Sequence, residues 1–135
     1  LKTNIDFLNL QKTVSFFGFL ENQPVEILSN FDIFISATRT FEGFGLSLAQ
    51  AISCGIPIIS TNVGAIPEYL NSNDFKLVKP YSSELSEALL DMLTNFEKHK
   101  VKAIKSRNIL SDFSEIKCSK SYQTLHSSLF LNLIN

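Results

Sequence analysis

Tryptophan is absent from these 135 residues; methionine occurs once, histidine and cysteine twice each, proline four times and glycine five times. Each shortage excludes something. Cys54 and Cys118 lie far apart and form no C-x-x-C pair, so neither a disulfide framework nor a dithiol redox motif is present. Two free thiols in a chain able to build its own core fit a reducing compartment. His99 and His126 are the only histidines, and no Cys/His cluster has zinc-ligand spacing, so no metal site is expected. A G-x-S-x-G nucleophile elbow is missing. Charge of one sign is not in excess: twelve Lys and Arg face thirteen Asp and Glu, a net charge of −1. A general nucleic-acid binder would show a basic surplus. Apolar runs are short, as in Ile56-Pro57-Ile58-Ile59, and none spans a bilayer. The N-terminus lacks the basic and apolar regions of a secretory leader. It starts at Leu1 rather than Met, so the sequence reads as a piece of a longer chain.

What is present is globular: 44% hydrophobic and 19% charged residues, in a length that predicts one domain. Up to about Pro80, short β-rich runs alternate with helical stretches. Val14 to Phe17 reads as a strand that stops at Gly18. Asn22 is placed to cap a helix with Pro24 in its first turn, carrying Val25, Ile27 and Leu28. Asp32 to Ser36 reads as the next strand, and a turn-rich loop, Ala37 to Gly43, leads to a helix from about Gly45 to Ser53. Gly55 stands where a helix-terminating glycine belongs. Ile56 to Ser60 is a third strand, followed by a short helix near Pro67 to Leu70 and a small strand at Phe75 to Val78. Alternating strands and helices, with strands apolar on both faces, predict a parallel sheet covered by helices.

Beyond Pro80 the pattern turns helical to the end, about residues 82–135. Ser82 or Ser83 would cap a helix with Leu85, Leu89, Met92, Leu93 and Phe96 on its apolar face. A second helix is expected from about Lys100 to Leu110. A third, about Ser119 to Leu133, carries a stripe of Tyr122, Leu125, Leu129, Phe130 and Leu133. Lys98, Lys102 and Lys105 share a helical face. That face reads either as solvated or as a peripheral contact with anionic lipid. Cys54, beside Gly55, reads as a small core residue. Three or four strands are few for a doubly wound sheet, so further strands are expected upstream.

The most informative segment runs from Thr40 to Gln50. It follows a strand and opens a helix, and ligands of open α/β sheets bind at the carboxyl ends of strands. Gly43 and Gly45 allow a ligand close to the backbone. The first amides of the helix, with its dipole, suit an anion such as a diphosphate. Glu42 stands just before them, able to accept hydrogen bonds from sugar hydroxyls, and Gln50 can line the same cleft. The spacing is not the dinucleotide fingerprint, because Gly43-Phe44-Gly45-Leu46-Ser47-Leu48 has no third glycine; nor is there a P-loop. A plain strand-to-helix turn accounts for the same residues.

Five landmarks in order then carry a resemblance. Val14-Ser15-Phe16-Phe17-Gly18 resembles a V-x-F-x-G strand, and Asp32-Ile33-Phe34-Ile35-Ser36 an "aDvfv-PS" strand. Glu42-Gly43-Phe44-Gly45-Leu46 resembles the start of an E-x7-E signature. Ala49-Gln50-Ala51 with Gly55 to Ile59 resembles "EAmA-GxPvv", and Gly64-Ala65-Ile66-Pro67-Glu68 resembles "GGxxE". Together they resemble the C-terminal half of a GT-B glycosyltransferase of the family 4 type. The implied fold is α/β, a Rossmann-like parallel sheet flanked by helices, here a partial C-terminal domain occupying residues 1–135.

The resemblance implies a retaining, metal-independent enzyme that takes a UDP- or GDP-linked sugar and no other cofactor. The absence of a D-x-D triplet agrees. Glu42 would touch the donor sugar. The amides of about Phe44 to Ser47, near Gly43 and Gly45 and including Leu46, would hold the diphosphate. Gln50 stands where the family has the Glu that holds the ribose, a loss of charge and of one acceptor site. The loop from Ala37 to Phe41 lacks the family's proline; Thr38 and Arg39 are further candidates there, Arg39 reading equally as a surface arginine. Glu68 is another, reading equally as a helix-start carboxylate. The acceptor, a saccharide or lipid-linked saccharide, would bind an N-terminal domain not in this sequence, to which the final helix would return. The fragment alone is therefore expected to be inactive, and its uncovered apolar stripe is a candidate dimer contact. Abundant Asn, Ser, Ile, Lys and Phe suit bacterial surface-polysaccharide synthesis, O-antigen or capsule, in the cytoplasm or on the inner face of the membrane. Two other readings stand beside this one: a non-catalytic nucleotide- or phosphate-binding module, and, lower, a receiver-like signalling domain, for which Asp32 lies at the wrong end of its strand.

Overall fold

A computed structural model describes residues 2–18 and 24–133, with side chains up to residue 130. Three parallel strands, β1 (Phe34–Ser36), β2 (Ile58–Thr61) and β3 (Lys76–Val78), lie in the order β1-β2-β3. Phe34 pairs with Ile58 and Ser36 with Ser60; Ile59 pairs with Lys76 and Thr61 with Val78. Helix α1 (Lys2–Phe7) and helix α2 (Pro24–Leu28) precede the sheet. Helix α3 (Leu46–Cys54) links β1 to β2, and α4 (Ile66–Tyr69) links β2 to β3. Then come α5 (Ser82–Thr94), α6 (Phe96–Lys105), a 3₁₀ segment (Ser106–Phe113) and α7 (Glu115–Leu133).

Strand β2 explains the layering. It is buried over its whole length, and consecutive side chains of a strand face opposite ways. Ile58 packs with Leu48, Ala51 and Ile52 of α3 and with Ile66 and Tyr69 of α4. Ile59 points the other way, onto Ala88 and Met92 of α5. One strand therefore needs helices on both sides, and the apolar run Ile56 to Ile59 dictates the sandwich.

Most elements fall where the sequence puts them. Pro24 opens α2, and the cap expected at Asn22 lies outside the described residues. Gly55 ends α3 with φ 70°. Other features depart from the sequence reading or complete it. The strand expected at Val14 to Phe17 does not form: among the described residues no strand pairs with it, and Phe16 and Phe17 are exposed. An extended run without a ladder partner leaves its amides to solvent. The cap of α5 is Tyr81 rather than Ser82 or Ser83, and no side chain caps that helix. Phe96 does not extend the face of α5, because the chain breaks at Asn95 and Phe96 starts α6. The helix expected to reach Leu110 tightens at Ser106 into the 3₁₀ segment, and the Ser106 hydroxyl donates back to the Lys102 carbonyl at 3.0 Å. Cys54 is half-buried and gives its thiol to the Val25 carbonyl at 3.5 Å, tying α3 to α2. The stripe on α7 is bare: Tyr122, Leu125, Leu129 and Phe130 are all more than half exposed.

Ile58, 1% exposed, is the side chain through which the sheet grips α3. Ile58→Ala is expected to cost about 2–5 kcal/mol of unfolding free energy, read as a lower urea midpoint at unchanged slope.

Candidate functional site

The Thr40 to Gln50 segment forms a shelf at the carboxyl ends of β1 and β2. Two loops build it, one after each strand, and backbone contacts join them. The Ala65 amide donates to the Glu42 carbonyl at 3.0 Å. Gly64, at φ 58°, lies so close that a Cβ there would be 2.1 Å from the Glu42 carbonyl oxygen and 2.6 Å from its nitrogen. No other residue fits. Thr61, fully buried, gives its hydroxyl to the Thr38 carbonyl at 2.6 Å and fixes the exit from β1.

Gly45 starts α3 in the left-handed region, φ 70° and ψ 68°, and no side chain caps the helix. The first intrahelical bond runs from the Ala49 amide to the Gly45 carbonyl at 3.0 Å. The amides of Leu46, Ser47 and Leu48 precede it and have no acceptor among the described residues. They are the free donors that every helix start leaves. A Cβ on Gly45 would lie 3.4 Å from the Glu42 Cγ and 3.5 Å from the Tyr69 hydroxyl, so both groups sit against this turn.

The candidate residues group unevenly. Glu42, Gly43, Phe44, Gly45, Leu46 and Ser47 make one continuous shelf. Glu42 is half-buried, whereas Leu46 and Ser47 are exposed. Gln50, half-buried, follows Ser47 at i+3 and so shares its side of α3. The ring of Phe44 turns away from the shelf and packs on Tyr69 and Phe113, centroids 5.2 Å from each. Thr38 is half-buried beneath the loop; Arg39 is exposed and forms no ion pair among the described residues. Glu68 is exposed in the first turn of α4, three residues beyond the Ala65 contact.

Three residues position the shelf, of which Thr61 and Tyr69 escape a reading by motif and Gly64 opens the Gly64-to-Glu68 landmark. Thr61 acts through its hydroxyl on the Thr38 carbonyl, and Gly64 through backbone proximity to Glu42. Tyr69 holds the Phe44 carbonyl through its hydroxyl and closes an aromatic cluster with Phe113, centroids 5.5 Å apart. Burial, helped by the nearby Glu42 carboxylate, pushes the Tyr69 phenol up to about 12. The one signal in the sequence was Gly64 directly before the short helix.

A parallel sheet covered on both faces, with a glycine turn opening a helix at its carboxyl end, defines a Rossmann-like unit. Solved structures place it within the GT-B glycosyltransferase fold: Anabaena HepE, determined with UDP, superposes with a TM-score of 0.83 over 94% of this chain and 35% of that one, at 22% identity. The family model described as Glycosyl transferases group 1 matches residues 1–108, and the chain belongs to that family. It is 30% identical to the phosphatidylinositol N-acetylglucosaminyltransferase gpi3 subunit of Schizosaccharomyces pombe, over 93% of this chain and 29% of that protein. It is 28% identical to the O-antigen biosynthesis glycosyltransferase WclY of Escherichia coli, over 93% of this chain and 34% of that protein. The chain thus spans about a third of the length of these curated relatives.

Two outcomes test the shelf. Gly64→Ala combines a left-handed φ with a backbone collision, so a loss of at least about 2 kcal/mol is expected, seen as a lowered Tm with amide shifts reaching Glu42. Tyr69 has a raised pKa, so its contribution to stability is complete below pH 10 and is lost as pH rises towards 12. Absorbance at the phenolate band should show a late step that Tyr69→Phe removes.

Proposed function

We propose that this chain is the donor-binding part of a retaining, metal-independent glycosyltransferase using a nucleotide-linked sugar. The observation that carries the reading is the turn at Gly45. Three amides without an acceptor among the described residues, and a helix dipole, open onto solvent beside Glu42. Backbone donors fixed in advance suit a diphosphate on which negative charge builds as the glycosidic bond breaks. Glu42 accepts hydrogen bonds from the donor sugar. Gln50, further along α3, meets the ribose hydroxyls with a neutral amide. Arg39 and Thr38 flank the phosphates, and Glu68 borders the nucleotide side. The UDP bound to HepE supports a uridine donor, with a GDP-linked sugar as the other candidate.

The transferred group is a hexosyl or N-acetylhexosaminyl group and the acceptor a saccharide or lipid-linked saccharide, as in O-antigen or capsule synthesis; the names of an N-acetylglucosaminyltransferase acting on phosphatidylinositol and of an O-antigen glycosyltransferase support the N-acetylhexosaminyl, lipid-linked and O-antigen parts of this reading. That acceptor binds the half of the enzyme outside these 135 residues, and residues 1–135 form the donor-side domain. The reaction belongs to the cytoplasmic side of the membrane. Alone, this chain turns over no donor.

An amide-shift titration with UDP, GDP and their sugar nucleotides tests the reading. Shifts centred on residues 43–50 are expected for one base only. Glu42→Ala should weaken the sugar nucleotide about tenfold and leave the bare nucleotide unchanged. Shifts centred elsewhere, or none at millimolar ligand, would overturn it.

A further inference from the structure

A polar cavity lies at the end of the sheet opposite the shelf, the amino-terminal end. It has a volume of about 140 Å³ and is enclosed by the Ser72–Lys76 turn, the end of α5 and one face of α6. That is far above the ~10–15 Å³ a single water needs. Three lysines line it, Lys76, Lys98 and Lys102, against two carboxylates, Asp74 and Asp91.

The charges do not cancel evenly. Asp91 takes an ion pair from Lys76, the Asn95 amide at 2.9 Å and the His99 Nε2–H at 3.2 Å. The Lys76 hydrogen bond holds this carboxyl down at about 2, so it is ionised and satisfied at neutral pH. Asp74 accepts from the Asn71 amide at 2.9 Å. Lys98 and Lys102 have no carboxylate partner among the described residues. They stand at i and i+4 on α6, neighbours on one face. Lys102 donates one N–H to the Asn73 carbonyl, which fixes its ammonium at the cavity rim and leaves two donors. His99, 9% exposed, is held against Asp91 and stiffens the wall between them.

We propose that this cavity binds a phosphate group, with Lys98 and Lys102 as its cationic donors. Two lysines one helical turn apart on the same cavity wall, one held by a backbone carbonyl, match a dianion better than a monovalent ion. The phosphate is either inorganic or the headgroup of an anionic lipid. The site is separate from the shelf at the carboxyl ends of β1 and β2 and does not depend on its role.

The test is an amide-shift titration of the chain with inorganic phosphate, beside a chloride control of matched ionic strength. Co-sedimentation with phosphatidylcholine vesicles, with and without phosphatidic acid, forms the second arm. Saturable shifts at Asn73, Lys98 and Lys102, weakened about tenfold or more by Lys98→Gln and kept by Lys98→Arg, are expected for the free ion. Sedimentation that needs phosphatidic acid and is lost in Lys98→Gln assigns the headgroup as the source. Lys98 is exposed, so its amide spectrum reports a folded variant. Shifts that chloride reproduces, that Lys98→Gln leaves intact, or that are absent together with vesicle binding would overturn the proposal.

Discussion

The shelf depends on one contact, the backbone of Gly64 laid against the backbone of Glu42. Two loops that leave adjacent parallel strands would otherwise diverge, since nothing in the sheet ladder continues past Ser36 and Thr61. Removing a Cβ lets the second loop close on the first, and the bond from Ala65 to Glu42 then becomes available. Everything at the start of α3 follows. Glu42 is fixed, Gly45 can take its left-handed turn, and the free amides emerge beside a carboxylate rather than apart from it.

The same contact explains why the aromatic residues cluster where they do. Phe44 lies between two glycines, Gly43 and Gly45, and its ring has to go inward if the loop is to stay down. Tyr69 meets it from α4 and holds its carbonyl; Phe113 covers both rings. Tilted and edge-on rings at these separations contribute beyond the area they bury. A polar, solvent-facing shelf is thereby carried on an apolar foundation, and the phenol is buried enough to stay protonated well into alkali.

Periodic features of the fold were legible and pairwise ones were not. The apolar run at Ile56 to Ile59, the glycine at 55 and the proline at 24 each act through local geometry, so their strands and helix ends appear in the sequence directly. Val14 to Phe17 has the same β-rich character, yet a strand exists only when a neighbour bonds to it, and neighbours are a property of the whole sheet. Likewise the α6 boundary turned on how the chain tightens after Lys105, which no pattern of apolar residues encodes. At the shelf, Glu42 to Ser47 could be read as one segment because they are contiguous. Thr61, Gly64, Tyr69 and Phe113 support it from up to seventy residues away, and that proximity is created only by the crossovers of the fold.

Phe113 has a bearing on where this unit ends. The family model ends at residue 108, inside the 3₁₀ segment. The ring that covers Phe44 and Tyr69 lies five positions later. A chain trimmed at the end of the family model would keep every residue of the shelf and lose part of its floor. The boundary drawn by the family model and the boundary drawn by packing are different places on this chain, and only the second keeps the ring that covers Phe44 and Tyr69.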